Sequence, residues 1–239
     1  MDKDLHDWML ANNVATFKVF TTTDPTGLKN GWRSLYDVSI DAVIFFDGIT
    51  FVVFLSDNAP LITTVVIKPM TVLGMEVKQH RMSQLQSWLD SVAGIKLVGY
   101  GSTKFDGPVL LRDHYLDIKH QDVLNIVGEA TEVHYGDFPR RIELQELAYL
   151  QGPFSKTRHA FSYLSSPLSM ISNWRNGWVR TAIKELCGEV EMLAGLYKHM
   201  IVSESLTIRD ERTHRKVEIP FKYDRPTDRI EIGPPLEEE

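Results

Sequence analysis

Cationic and aromatic side chains gather in the later half of the chain. Arg140-Arg141, Lys156, Arg158, Arg175 and Arg180 form a basic region that leads into the last helical stretch, and Trp174 and Trp178 flank Arg175. Guanidinium and ammonium groups placed this way can follow a phosphate backbone. Indole faces can stack on unpaired bases, or anchor a core as an aromatic pair in a loop. Acidic chemistry is sparser. Asp106 follows Gly99-Tyr100-Gly101-Ser102 by a few residues and opens a helical stretch, where the helix dipole and capping favour a carboxylate. Glu185 and Glu189 stand one turn apart on a later helix, a repulsive pair unless a cation lies near. Glu189 falls beside the apolar stripe of Leu186 and Leu193.

Other chemistries find little support. His114, His120, His134 and His159 show no spacing suited to metal ligation from one helix. Cys187 is the single cysteine, so no internal disulfide and no multi-cysteine zinc site can form. It lies on an apolar helix face, as a buried filler would.

Elements must position these groups. Leu5–Asn13 reads as a short helix. Thr16–Phe20, Val38–Phe46 and Thr50–Leu55 are rich in Val, Ile and Phe and read as strands. Asp24-Pro25-Thr26-Gly27 marks a turn between the first two, and Asp47-Gly48 a two-residue hairpin between the last two. Ser83–Ala93 predicts a helix capped by Ser83, Lys96–Tyr100 a short buried strand, and Gly107-Pro108 the opening of a second helix through Tyr115. Val123–Val127 is apolar, and Leu144, Leu147, Ala148 and Leu150 suggest a further helix. Val179–Ile201 carries apolar residues at helical spacing from Ile183 to Met200. Leu206–Ile208 and Lys216–Ile219 predict a hairpin, followed by a charged, Pro-rich tail ending in Glu237–Glu239. The pattern predicts a mixed α/β domain over residues 1–204, with a C-terminal hairpin and flexible acidic tail over 205–239.

The chain has 239 residues, 43% apolar and 24% charged, enough to build a core without disulfide staples. Its apolar runs are too short to span a bilayer, and its charged start lacks a secretory signal. A cytoplasmic protein is expected, or one of the host cytoplasm if its source is viral. The formal net charge of −6 opposes avid nonspecific DNA binding, so any nucleic-acid contact must come from a local basic patch.

Segment 97–110, Leu-Val-Gly-Tyr-Gly-Ser-Thr-Lys-Phe-Asp-Gly-Pro-Val-Leu, resembles the second motif of DEDD-type 3′–5′ exonucleases, including the proofreading domains of DNA polymerases: a strand, a Gly-Tyr-Asn loop, Phe-Asp, then a helix. His120–Leu124 is similar to the family's Asp-hydrophobic-Leu segment. Leu144–Ala148 followed by Gly152 resembles its Leu-x-x-Leu-Ala helix, and Glu189–Tyr197 resembles its third motif. Phe17–Gly27 lies where Phe-Asp-x-Glu-Thr-x-Gly belongs. The resemblance covers roughly residues 15–202 and rests on four weak motifs in the family's order. It implies a ribonuclease H-like fold, with three antiparallel strands plus parallel strands, flanked by helices.

The resemblance also implies four carboxylates around two divalent metals, Mg²⁺ or Mn²⁺, which activate water and stabilise the leaving oxygen. Carried over position by position, the second-motif Asp is Asp106 and the third is Glu189. The first-motif Asp and Glu fall on Thr21 and Thr23, and the Asn on Gly101. The Tyr or His that orients the attacking water falls near Glu185 or Lys184. A second register makes Asp37-Val38-Ser39 the first motif, and Asp24 could enter from its loop. The expectation is therefore a degenerate, catalytically impaired module, with Asp106 and Glu189 as at most one weak metal site. It would bind single-stranded nucleic acid, or a replication or processing protein, through the old groove, and the compact domain with its acidic tail hints at a phage or viral replication protein. The alternative is an active exonuclease using Asp106, Glu189 and Asp24 or Asp37. Oligomeric state is not legible in the sequence.

Overall fold

A computed structural model of the chain describes residues 3–23, 38–56, 69–136, 139–151, 167–210, 212–224 and 229–232. Helix α1 (Lys3–Asn12) precedes strands β1 (Val14–Phe20), β2 (Ala42–Phe46) and β3 (Phe51–Leu55). Strands β4 (Thr71–Val72) and β5 (Met75–Arg81) lead through a 3₁₀ turn (Met82–Gln84) into α2 (Leu85–Ser91). Then come β6 (Lys96–Gly99), α3 (Asp106–His114), β7 (His120–Asp122), α4 (Val123–Tyr135) and α5 (Leu144–Leu150). Helices α6 (Pro167–Arg175) and α7 (Val179–Ser203) are followed by β8 (Ser205–Arg209), β9 (Lys216–Asp224) and β10 (Arg229–Ile232).

Seven strands form one sheet in the order β4-β5-β3-β2-β1-β6-β7. β2 pairs antiparallel with both β1 and β3, with Phe17 opposite Phe45 and Phe46 opposite Phe51, while β6 and β7 run parallel to β1. This arrangement, flanked by helices, is the mixed sheet of a ribonuclease H-like fold. β5 extends it by pairing parallel to β3, with Val53 opposite Gln79. Nothing in the apolar runs predicts this addition. Its signal is the alternation Met75-Glu76-Val77-Lys78, buried and exposed in turn.

The strand runs are continuously apolar because both sheet faces are covered. Side chains alternate along each strand. Val14, Phe20, Ile44 and Phe46 join one core with α7 and α4, while Ala15, Phe17, Val43 and Phe45 join another with Leu85, Val109 and Leu110. Helix α7, 25 residues long, packs across β1 and β2 on the first face. Its apolar stripe from Ile183 to Met200 is buried there.

The predicted C-terminal hairpin forms, with Leu206 opposite Ile219 and Ile208 opposite Val217. Its strand runs on through Pro220, which pairs with Ser205, to Asp224 and meets β10. Leu206, Ile208, Ile219 and Phe221 belong to the same core as α7. Three local expectations shift. The β2–β3 turn centres on Gly48-Ile49, because the Asp47 carboxylate accepts from the backbone N–H of Ile49 and Thr50, each at 2.8 Å. Ser83 lies inside the 3₁₀ turn and does not cap α2, and the Gln84 side chain accepts instead from Arg81 N–H at 3.1 Å. Trp174 stands on α6, not in a loop. Among the described residues no helix is long and apolar enough to cross a membrane.

Candidate functional site

The site forms where β1, the β6–α3 loop and α7 meet. On β1, Thr16, Lys18 and Phe20 face α7. The buried Thr16 hydroxyl donates to the Val190 carbonyl at 2.7 Å, and Phe20 packs on Trp174 with ring centroids 5.0 Å apart. Between them the Lys18 ammonium forms an ion pair with the Glu189 carboxylate. Glu189 is buried although charged, its side chain only 7% exposed. Such a group requires a partner.

Asp106 occupies the first turn of α3. Its position is buried rather than capping, since the residue before the helix, Phe105, makes no side-chain cap bond. Burial pushes its carboxyl up to about 7, against the pull of Lys18, and the neighbouring Asp122 and Glu189 charges push the same way. Burial works to lower the Lys18 pKa, yet Glu189, Asp106 and Glu143 outweigh it and hold the ammonium above its ordinary value.

The loop that delivers Asp106 is fixed by Asp122, a residue the motif comparison matched without giving it a task. Its carboxylate accepts from Gly101 N–H at 2.7 Å, Thr103 N–H at 2.8 Å and Leu124 N–H at 3.0 Å. The last of these caps α4. Gly101 takes φ +69°, a left-handed conformation that favours glycine. Gly99 is required for space, because a Cβ there would lie 2.3 Å from the Ser102 hydroxyl oxygen. Tyr100 donates its hydroxyl to the Ile142 carbonyl and so ties the loop to the chain entering α5.

A groove of about 510 Å³ opens over this cluster. Lys18, Asp106 and Glu189 form its polar end, Phe17, Leu124, Ile142, Leu144 and Leu193 its apolar walls, and Arg141 and Glu143 part of its rim. A second hollow of about 280 Å³ shares Gly101, Leu124 and Arg141 with it and adds Lys104 and Arg140. The two adjoin through these shared residues.

The structure brings Asp106, Glu189 and Arg141 together. It does not bring Thr21 or Thr23 into the groove lining. Both lie past the end of β1, where Thr23 N–H donates to the Thr21 hydroxyl at 3.0 Å. The β1 residue facing the acids is Lys18. The sequence carried a signal for this: aligning Phe17 with the motif's Phe puts Lys18 at the Asp position and Phe20 at the Glu position. Asp24, Asp37, Lys156 and Arg158 lie outside the described residues. Glu185 accepts from the Asn173 amide at 3.3 Å and helps join α7 to α6. Arg175 donates to the Thr22 carbonyl at 2.6 Å, and Arg180 to the Pro69 carbonyl at 3.3 Å. Arg140 lies over the Tyr135 ring, 4.9 Å from its centre. Trp174 is core, 3% exposed, so it cannot stack on a base, whereas Trp178 is 65% exposed.

The residues present do not fit a pair of divalent cations. A lysine and a phenylalanine hold the β1 positions that would need carboxylates, and the lysine engages Glu189. Among the described residues no three His, Cys, Asp or Glu side chains gather as a metal site. Fold and site together define a mixed α/β domain with a ribonuclease H-like sheet, in which an acid pair on two helices meets a lysine from the interior strand β1. Comparison of the sequence with protein-family models and with curated proteins finds no match to either.

Proposed function

We propose that the chain is a catalytically impaired 3′–5′ exonuclease-like domain that holds single-stranded nucleic acid in its groove. The observation that carries this reading is Lys18. A fixed ammonium beside Asp106 and Glu189 leaves the acids a cation but no open coordination position for an attacking water. The surroundings of the acids are nonetheless well built: the Gly99–Asp106 loop held by Asp122, the α7 acid and the groove above them. Fold and site are separable, so such a groove can outlive its chemistry.

Binding would draw on a few local cations, since the net charge of −6 opposes phosphate overall. Arg141, Lys104 and Arg140 line the two hollows among the acids Glu129, Glu132 and Glu143, and the apolar walls suit a base lying flat. The test is incubation of the pure chain with end-labelled single-stranded DNA and RNA, with Mg²⁺ or Mn²⁺. The expected result is no shortening of either strand, with retardation at low salt that weakens steeply as salt rises. Substituting Arg141 and Lys104 together by Ala should weaken that retardation. Metal-dependent shortening that disappears in Asp106→Ala would overturn the impaired reading. No retardation at low salt would remove nucleic acid as the ligand and leave a replication or processing protein in its place.

A further inference from the structure

Asp106 and Glu189 come from different elements, α3 and α7, and both are buried. Glu189 is charged and buried with the Asp106 carboxyl as its neighbour, and a dissociable ion is a common source of the positive charge such a site needs. Here the positive charge is covalent. Lys18 projects from the middle of β1, between those elements, and pairs with Glu189 while its charge also acts on Asp106 and Glu143. Phe20, which follows it on the same face, is committed to the core against Trp174. On this face β1 thus offers the acids a lysine and a core phenylalanine, and no carboxylate.

We infer that Lys18 is the resident cation of the groove, a positioning residue that makes its assembly and its ligand binding independent of divalent ions. The inference rests on the proposed groove, but its first readout is the cation dependence of stability. It can therefore fail while nucleic-acid binding stands, and the reverse.

Thermal unfolding of the full chain, in EDTA and in excess Mn²⁺ or Ca²⁺, tests it. The wild type should show the same Tm in each buffer, and its titration with Mn²⁺ should release no saturable heat. Lys18→Ala should melt lower in EDTA and regain several degrees with either ion, because the bared acids then recruit a dissociable cation. Lys18→Ala/Glu189→Gln should be stable without added ions and indifferent to them. Any nucleic-acid retardation by the wild type should survive EDTA, and retardation by Lys18→Ala should become divalent-dependent.

A saturable Mn²⁺ site in the wild type that is lost in Asp106→Asn would overturn the inference. So would a Lys18→Ala variant with wild-type Tm and no response to cations. Should Lys18→Ala fail to fold in every buffer, the double variant decides. Its folding without ions supports a charge role for Lys18, and its failure to fold means the lysine is needed for packing instead.

Discussion

Lys18 on the interior strand β1 and Glu189 on helix α7 are 171 positions apart in sequence and form an ion pair in the groove. The pair joins β1 to α7 beside the Thr16–Val190 hydrogen bond, so strand and helix are tied through both side chain and backbone. Its two charges also act on Asp106, the third member of the cluster, in opposite directions and on top of the larger effect of burial.

Asp106 makes stability depend on pH with a definite sign. Its folded-state pKa of about 7 lies above the ordinary value of 3.8, so the native state holds the proton across that interval while the unfolded chain has released it. The corresponding stability is fully present below pH 4 and is lost as pH rises through 7, on the order of a few kcal/mol. Asp106→Asn keeps an acceptor for the Val19 backbone and cannot ionise. Its stability relative to wild type should therefore increase from pH 4 to pH 7 and level off above. Urea midpoints at several pH values check this. Parallel curves for the two proteins would show that Asp106 is not titrating there.

Asp122 holds three backbone N–H groups with one carboxylate, at 2.7, 2.8 and 3.0 Å. Removing it leaves those donors without a partner in a partly buried loop. Hydrogen bonds to a charged group contribute about 1.5–3 kcal/mol each, and part of that returns when water enters. Asp122→Ala should cost about 3 kcal/mol in denaturant unfolding, and Asp122→Asn clearly less, since one oxygen remains. Equal losses would mean that the charge, rather than the bond geometry, supplies the stability.

Much of this fold was legible in the sequence, because it follows from runs and periods. The Phe- and Val-rich strands, the long stripe of α7 and the β8–β9 hairpin announce themselves through burial. The Gly99–Asp106 loop is readable because each glycine answers a steric demand. The site was less legible, for a reason of register. Side chains on a strand alternate with period two, so choosing Lys18 or Thr21 as the inward position changes every role on β1. Only the contacts with α7 settle that choice. The basic region was readable as a set of residues but not as a surface: Arg175 and Arg180 spend their guanidinium groups on backbone carbonyls, and among its described residues only Arg141 reaches the main groove.

The two loop glycines should differ in cost. At Gly101 an added Cβ meets only the Leu124 methyl at 3.5 Å, so the penalty is that of the left-handed backbone, about 1–2 kcal/mol. At Gly99 the Cβ would lie 2.3 Å from the Ser102 oxygen, 2.4 Å from Ser102 Cβ and 3.1 Å from Phe17. Ser102 is fully buried and has nowhere to retreat. Gly99→Ala should therefore lower the Tm more than Gly101→Ala. A reversed order would show that backbone strain, not crowding, governs the loop.

The two tryptophans before α7 separate core from surface in one experiment. Trp174 is 3% exposed and stacks obliquely on Phe20, while Trp178 is 65% exposed at the start of the helix. Trp174→Ala empties a large volume beneath β1 and should cost about 3–5 kcal/mol, as large-to-small changes in packed cores do. Trp178→Ala should change stability by no more than about 0.5 kcal/mol, as expected of a surface position. Any loss of nucleic-acid binding in Trp178→Ala would then report a contact rather than a folding defect. A Trp178→Ala variant that unfolds as readily as Trp174→Ala would place that indole in the core, against its exposure.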